Sequence, residues 1–273
     1  MLGEAEISSG QFHTDPANAS SGVQLRDAGS ENRRTVRRCN QRRRPPDYAA
    51  CIMPALPSTS SPTADRRRTL TLPTGFIHPC LPMIAPRPPS GPGWLHEIKH
   101  DGFRIIARKA GSQVKLYSRP GDELTNRFPL IVEAMARLPS CTIDGEAVAC
   151  DDQGNPSFDL LWRRTRDDQV FLYVFDLIEL SGDDRRRDPL EVRKVDLCRL
   201  LVDAAPGLRI NGWIEGKEVD GAAVFERACS LGLEGIVSKR KDSRYLSGRS
   251  PYWLKMKNPA SEVARREEAA DWR

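Results

Sequence analysis

The segment Glu97-Ile98-Lys99-His100-Asp101-Gly102-Phe103-Arg104 sets one lysine where an apolar run meets an Asp-Gly pair. Asp-Gly turns a chain sharply, so the Lys99 amine stands at the lip of a turn. An amine attacks phosphorus only when neutral, which takes desolvation or neighbouring cations. Lys255 and Lys257 lie two residues apart, so on a strand both project to one face and can act together on an anion. Glu146 and Glu234 are carboxylates of the kind that hold a hydroxyl or a hard cation, and Asp101 is a further acidic contributor. Arg104 and Arg119 carry guanidinium forks that match phosphate oxygens. Each has a plainer reading alone: a solvated hairpin lysine, two lysines on an edge strand, isolated glutamates in water.

Chemistry at these positions needs elements that bring them together. Period-2 apolar runs predict strands at Trp94–Ile98, Phe103–Ala107 and Val114–Tyr117, then at Cys141–Ala149 and Val170–Leu177. Short strands are predicted at Gly235–Ser238 and Tyr252–Met256. Helical spacing runs over Phe128–Leu138, with Pro129 suited to the first turn, and helices are also predicted over Pro189–Val202 and Ala222–Leu231. The helices interrupt hairpin-like strand pairs without βαβ alternation, which fits an α+β class. The Pro- and Gly-rich stretch 79–93 reads as an extended, turn-rich lead-in.

Residues 1–75 carry no sustained apolar period and are expected to be disordered. Arg33, Arg34, Arg37, Arg38, Arg42, Arg43 and Arg44 lie within them, either as a phosphate-binding arm or as an incidental tail. A net charge of +5 leans gently towards a polyanionic partner. Seven cysteines, odd in number and without a CxxC pair, point to reduced thiols and against a zinc site. No run is long and apolar enough for a membrane span, and the expected location is the bacterial cytoplasm, associated with the nucleoid.

Six segments in order resemble the motifs of the covalent nucleotidyltransferases, which include DNA ligases, RNA ligases and mRNA-capping enzymes. Lys99 to Arg104 resembles KxDGxR, Ser118-Arg119-Pro120-Gly121 resembles SRxG, and Asp144-Gly145-Glu146 resembles DGE. Phe175-Asp176 resembles the aromatic FD element, Glu234 to Lys239 resembles EGxVxK, and Trp253 to Lys257 resembles WxKxK. The texture is most similar to bacterial ATP-dependent DNA ligases, over residues 76–258, with 259–273 a charged tail.

The resemblance implies an ATP-grasp-like core holding ATP between two antiparallel sheets with flanking helices. It implies that Lys99 attacks the α-phosphate of ATP and becomes lysyl-AMP, and that AMP then passes to the 5′-phosphate of nicked duplex DNA. Lys255 and Lys257 would face the α-phosphate, and Glu146 the ribose. Glu234, with Asp101 as a second contributor, would hold Mg2+ or Mn2+. Phe175 would stack on adenine. Glu97 would accept from its amino group, and Arg104 and Arg119 would contact phosphate or ribose, Arg119 reaching towards the nick.

Two departures stand out. Pro120 occupies a position where the family commonly has Asn, removing a backbone donor beside Arg119. After Asn258 too few residues follow for the OB-fold domain that such ligases usually carry, so an OB-fold supplied in trans is an expected partner. A ligase-derived binder of nucleotide or nicked DNA, an RNA-end ligase and a capping guanylyltransferase stay open as alternatives.

Overall fold

A computed structural model describes residues 75–261 except Glu218, so the arginine-rich segment and most of the charged tail lie outside the described residues. One sheet has five strands in the order β1 (Cys80–Ile84), β11 (Gly248–Lys257), β10 (Gly235–Arg240), β2 (Trp94–Ile98) and β9 (Trp213–Glu215). The other runs β4 (Gln113–Ser118), β3 (Phe103–Ala110), β5 (Cys141–Val148), β6 (Phe171–Leu180) and β7 (Asp183–Asp184), with β8 (Leu208–Ile210) also beside β6. Four helices flank them: α1 (Pro129–Ala136), α2 (Phe158–Trp162), α3 (Leu190–Leu200) and α4 (Gly221–Ser230). The class is α+β, as expected. Each sheet departs from the expected antiparallel pairing once, because β1 runs parallel to β11 and β8 parallel to β6.

Alternation along the strands builds the layers. On β3, Ile105 and Ala107 join the outer cluster around Ile131 and Met135 of α1, while Ile106 turns inward. On β6, Val174 and Leu177 point out and Phe175 and Ile178 point in. The inward set meets Leu95, Tyr245 and Trp253, which closes the two sheets on each other. On the far side of the five-stranded sheet, Val224 and Ala228 of α4 cover Ile236 and Met256. Full burial of an Ile or Leu contributes roughly 1.5–3 kcal/mol, against about 0–1 kcal/mol for a surface ion pair, so these clusters set the frame.

Strand β1 lies where the sequence predicted only an extended lead-in. It is a sheet edge paired on one side, and its register slips between Pro82 and Met83. An edge with a bulge tolerates the proline that made it illegible as a strand.

Candidate active site

Strand register brings the motif residues onto one face. Glu97 lies opposite Val237, which lies opposite Lys255, while Gly235 pairs with Lys257 and Lys239 with Trp253. Directly opposed residues project to the same side, so Glu97, Lys239, Trp253, Lys255 and Lys257 all face the second sheet. From that sheet, Arg104 on β3 lies opposite Glu146 on β5. Between the sheets a cavity is lined by Lys99, His100, Arg104, Glu146, Phe175 and Trp253, among others.

Lys99 follows β2 directly, its amide donating to Gly235 O at 3.0 Å. Its Nζ lies 2.5 Å from Glu234 Oε1, with the lysine side chain 23% exposed and the glutamate 4%. Burial holds the Glu234 carboxyl above the usual range, and Lys99 opposes that. Two glycines make the approach possible. A Cβ on Gly102 would meet Ala147 O at 2.2 Å, and Gly235 has φ +141° with Met256 O only 2.0 Å from a Cβ position. Any side chain at either position would push the Lys99 turn or Glu234 aside.

Glu97 is 2% exposed and sits between two buried ammonium groups, Lys194 of α3 at 2.6 Å and Lys239 at 2.8 Å. Both lysine nitrogens approach outside good hydrogen-bond geometry, so the attraction is chiefly Coulombic. Asn211 Nδ2 donates to Glu97 Oε2 at 3.3 Å and to Ile98 O at 3.2 Å. The Lys239 ammonium also lies 4.3 Å from the Phe175 ring centre and 4.0 Å from that of Trp253. Burial brings it down to about 8, with Glu97 opposing the change. Asn211 continues to His100, whose Nε2 donates to Asn211 Oδ1 at 2.9 Å while its ring stacks on Tyr173 at 3.9 Å. Burial lowers His100 to about 4, so it is neutral at physiological pH.

Arg104 grips Asp144 with two bonds, at 2.5 and 2.7 Å, and donates to Cys80 O at 3.1 Å. Tyr245 Oη donates to the same Asp144 at 2.6 Å and accepts from Cys80 N at 3.1 Å. This network ties β3 and β5 of one sheet to β1 and the β10–β11 connection of the other. Arg104 also lies 4.4 Å from the Phe175 ring centre, and Phe175 is 7% exposed. Glu146 is pushed up to about 7 by burial, against the pull of Arg104 and Lys99.

The expected residues do not all converge. Lys255 and Lys257 share the cavity's face on β11, and Lys257 and Asp101 act on Glu234 electrostatically. Arg119 is exposed and lies elsewhere, in a surface cleft with His78, Pro79, Leu81 and Ser247. Sequence reasoning gives Lys239, Lys194, Asn211, Trp253 and His100 no role. Lys239 stands inside a quoted motif, which was a signal. Lys194 and Asn211 reach the site through tertiary packing that no spacing announces.

A family described as the ATP dependent DNA ligase domain matches residues 87–257. The chain belongs to this family. It is 35% identical over 189 residues to the multifunctional non-homologous end joining protein LigD of Pseudomonas aeruginosa, covering 67% of this chain and 22% of that protein. It is 33% identical to the SPbeta prophage-derived DNA ligase-like protein LigB of Bacillus subtilis, covering 67% of this chain and 68% of that one. The crystal structure of the ligase domain of M. tuberculosis LigD superposes with a TM-score of 0.58 at 31% identity, covering 66% of this chain and 60% of that one. The chain thus spans about a fifth of the Pseudomonas relative and about two thirds of the Bacillus one.

The donor set of the ligase domain fits a loosely held hard cation. Among the described residues, no group of three or more His, Cys, Asp or Glu side chains is arranged as a metal cage. Glu234 Oε2 is buried without a hydrogen-bond partner, and Asp101 and Glu146 are close enough to couple to Glu234. Mg2+ commonly takes one or two carboxylates and draws its other ligands from phosphates and water.

Proposed function

We propose that residues 76–258 form the catalytic core of an ATP-dependent DNA ligase working through a Lys99–AMP intermediate in DNA repair or recombination. The observation that carries this reading is the Lys99 amine, part-exposed at the mouth of the inter-sheet cavity and held by nearly closed-off Glu234. ATP enters with its base against Phe175. Glu97 is already engaged by two lysines and Asn211, yet a carboxylate has about four lone-pair sites and can accept from the adenine amino group as well. Glu146 and Arg104 serve the ribose and phosphate side, and Lys255 and Lys257 face the α-phosphate.

In the first step part-exposed Lys99 gives up its proton to solvent, and its nitrogen bonds to the α-phosphorus as the bond to pyrophosphate breaks. Lys255 and Lys257 offset the charge gathering on the phosphoryl oxygens. Mg2+ or Mn2+, held by Glu234 with Asp101, supplies Lewis-acid polarisation of those oxygens when bound. AMP then passes to the 5′-phosphate of a nick, and attack by the neighbouring 3′-hydroxyl expels AMP and joins the strands. The setting is the cytoplasm, on nicked duplex DNA.

Incubation of the full chain with α-labelled ATP and Mg2+ or Mn2+, followed by a denaturing gel, tests the reading. A labelled band is expected in the wild type and none in Lys99→Ala. No band with either metal, or a band that survives the substitution, overturns it. Nicked DNA and nicked RNA duplexes, with and without an added OB module, then decide the strand preference.

A further inference from the structure

We infer that Lys194 of α3 is a positioning residue that holds Glu97 for the adenine amino group and so sets the preference for ATP over GTP. The inference rests on the reading that seats adenine in the inter-sheet cavity, and it assigns selectivity to a side chain outside the six motif-like segments.

Lys194 is 1% exposed, a burial that lysine seldom shows without a partner. Its Nζ lies 2.6 Å from Glu97 Oε1 and 4.7 Å from the centre of the Trp213 ring. Trp213 is the residue opposite Glu97 across β9 and β2, so the ammonium sits where those two strands meet α3. Arg193 fixes the helix turn that delivers it. The Arg193 guanidinium grips Asp176 of β6 at 2.7 and 2.9 Å and donates to Ser243 O at 2.9 Å. Leu190 and Leu197, both fully buried, pack the same helix down. α3 therefore stays docked whatever stands at position 194.

The two oxygens of Glu97 have different neighbours. Oε1 meets Lys194, whereas Oε2 meets Lys239 at 2.8 Å and accepts from Asn211 Nδ2 at 3.3 Å. Lys239 and Asn211 line the cavity with Glu97, so they draw the carboxylate from the ligand's side while Lys194 draws it from the helix. Opposed pulls fix the plane of the carboxylate and keep one of its roughly four lone-pair sites for a donor in the cavity. Adenine offers an amino group there. Guanine offers a carbonyl oxygen at the same place, which an acceptor-only carboxylate repels. Without Lys194 the carboxylate turns onto Lys239, its site for the amino group is taken up, and its repulsion of guanine weakens. Lys194→Met keeps the side-chain length and leaves a neutral Glu97–Lys239 pair, so the fold survives the substitution.

Calorimetric titration of the full chain with ATP and with GTP, without added metal, measures the preference directly. Labelling with α-labelled ATP or GTP and Mg2+ is followed in parallel. In Lys194→Met the Kd and the KM for ATP should rise about 5-fold while maximal labelling changes little. The preference for ATP over GTP should fall about 10-fold. Lys194→Arg should recover most of both, and Lys194→Gln, a weaker donor, should fall between. Variants that melt earlier but keep the wild-type Kd and preference overturn the inference and leave Lys194 purely structural. A wild type that binds ATP and GTP equally also overturns it, whether or not it labels. If the wild type prefers ATP but never forms lysyl-AMP, the ligase reading fails, and loss of that preference in Lys194→Met still supports the inference.

Discussion

The Nζ of Lys99 and the Oε1 of Glu234 meet at 2.5 Å, with the lysine open to solvent and the carboxylate nearly sealed from it. The pair is asymmetric: Lys99 can exchange its partner for water, and Glu234 cannot. Lys99→Arg keeps the charge and should leave stability nearly unchanged, whereas Lys99→Ala strands a buried carboxylate and should cost roughly 1–3 kcal/mol. Burial already raises the Glu234 carboxyl, so in Lys99→Ala it takes up a proton in the folded state before it does so unfolded. The unfolded state then binds fewer protons than the native one, and stability falls as pH rises. Urea melts should show a larger cost at pH 8 than at pH 5, and both variants should fail to label with ATP. An equal cost at the two pH values removes Glu234 as the cause.

Two buried cations around one buried carboxylate predict opposite outcomes for the two kinds of substitution. Glu97→Gln leaves Lys194 and Lys239 without their shared counter-charge and should cost roughly 3–5 kcal/mol. Lys239→Met leaves the neutral Glu97–Lys194 pair and should cost little or even stabilise. Lys239 also carries a pH signature. Burial brings it to about 8, below its ordinary value, so between pH 8 and 10 the unfolded chain holds a proton that the native one has lost. Its contribution therefore becomes more favourable as pH rises. Cys80 and Cys141, pushed up to about 11 and about 12 by burial, act in the opposite direction. The wild-type-minus-variant difference is the readout: it should grow by roughly 2 kcal/mol across that window. A flat difference shows that Lys239 titrates like a solvated lysine.

The motif residues were legible because six segments resemble a family's motifs in order, several of them on predicted strands such as Trp94–Ile98 and Tyr252–Met256. The two-apart spacing of Lys255 and Lys257 led directly to a shared face. What stayed illegible was tertiary. In α3 the buried stripe is Leu190, Arg193, Lys194, Leu197 and Cys198, and a reading by hydrophobicity places the two cations in water. They are inside because Asp176 and Glu97, on different strands, wait for them. The short strands β8 and β9 carry too few residues for a period, and β1 is masked by Pro82. Arg119 sits in a convincing motif, yet the turn after β4 carries it to a separate cleft.

Tyr245 joins the two sheets through a single oxygen, donating to Asp144 and accepting from Cys80. Tyr245→Phe keeps the ring against Trp253 and removes that oxygen, leaving Cys80 N without its acceptor. A cost of about 1–2 kcal/mol is expected from the lost pair of bonds. Arg104 shares Asp144 and lines the cavity, so the looser join should also raise the KM for ATP in self-adenylylation while maximal labelling changes little. A variant that is less stable but has a wild-type KM would make the link purely structural.

The proposed roles of Phe175 and Arg119 would separate nucleotide binding from nick binding. The Phe175 ring lines the cavity under Arg104 and Lys239, and in its proposed role as adenine platform it would contribute roughly 1–3 kcal/mol of stacking. Phe175→Leu fills most of the same volume without a flat face, so the KM for ATP should rise at least several-fold, and Phe175→Tyr should stay near wild type. Arg119→Ala touches nothing in that cavity and should leave lysyl-AMP formation unchanged, while weakening the grip on a duplex with a 5′-phosphate at the nick more than on one with a 5′-hydroxyl. The two substitutions should therefore fail at different steps. An Arg119→Ala protein that labels poorly with ATP would return that arginine to the nucleotide, and require the turn after β4 to swing across the cavity during the first step.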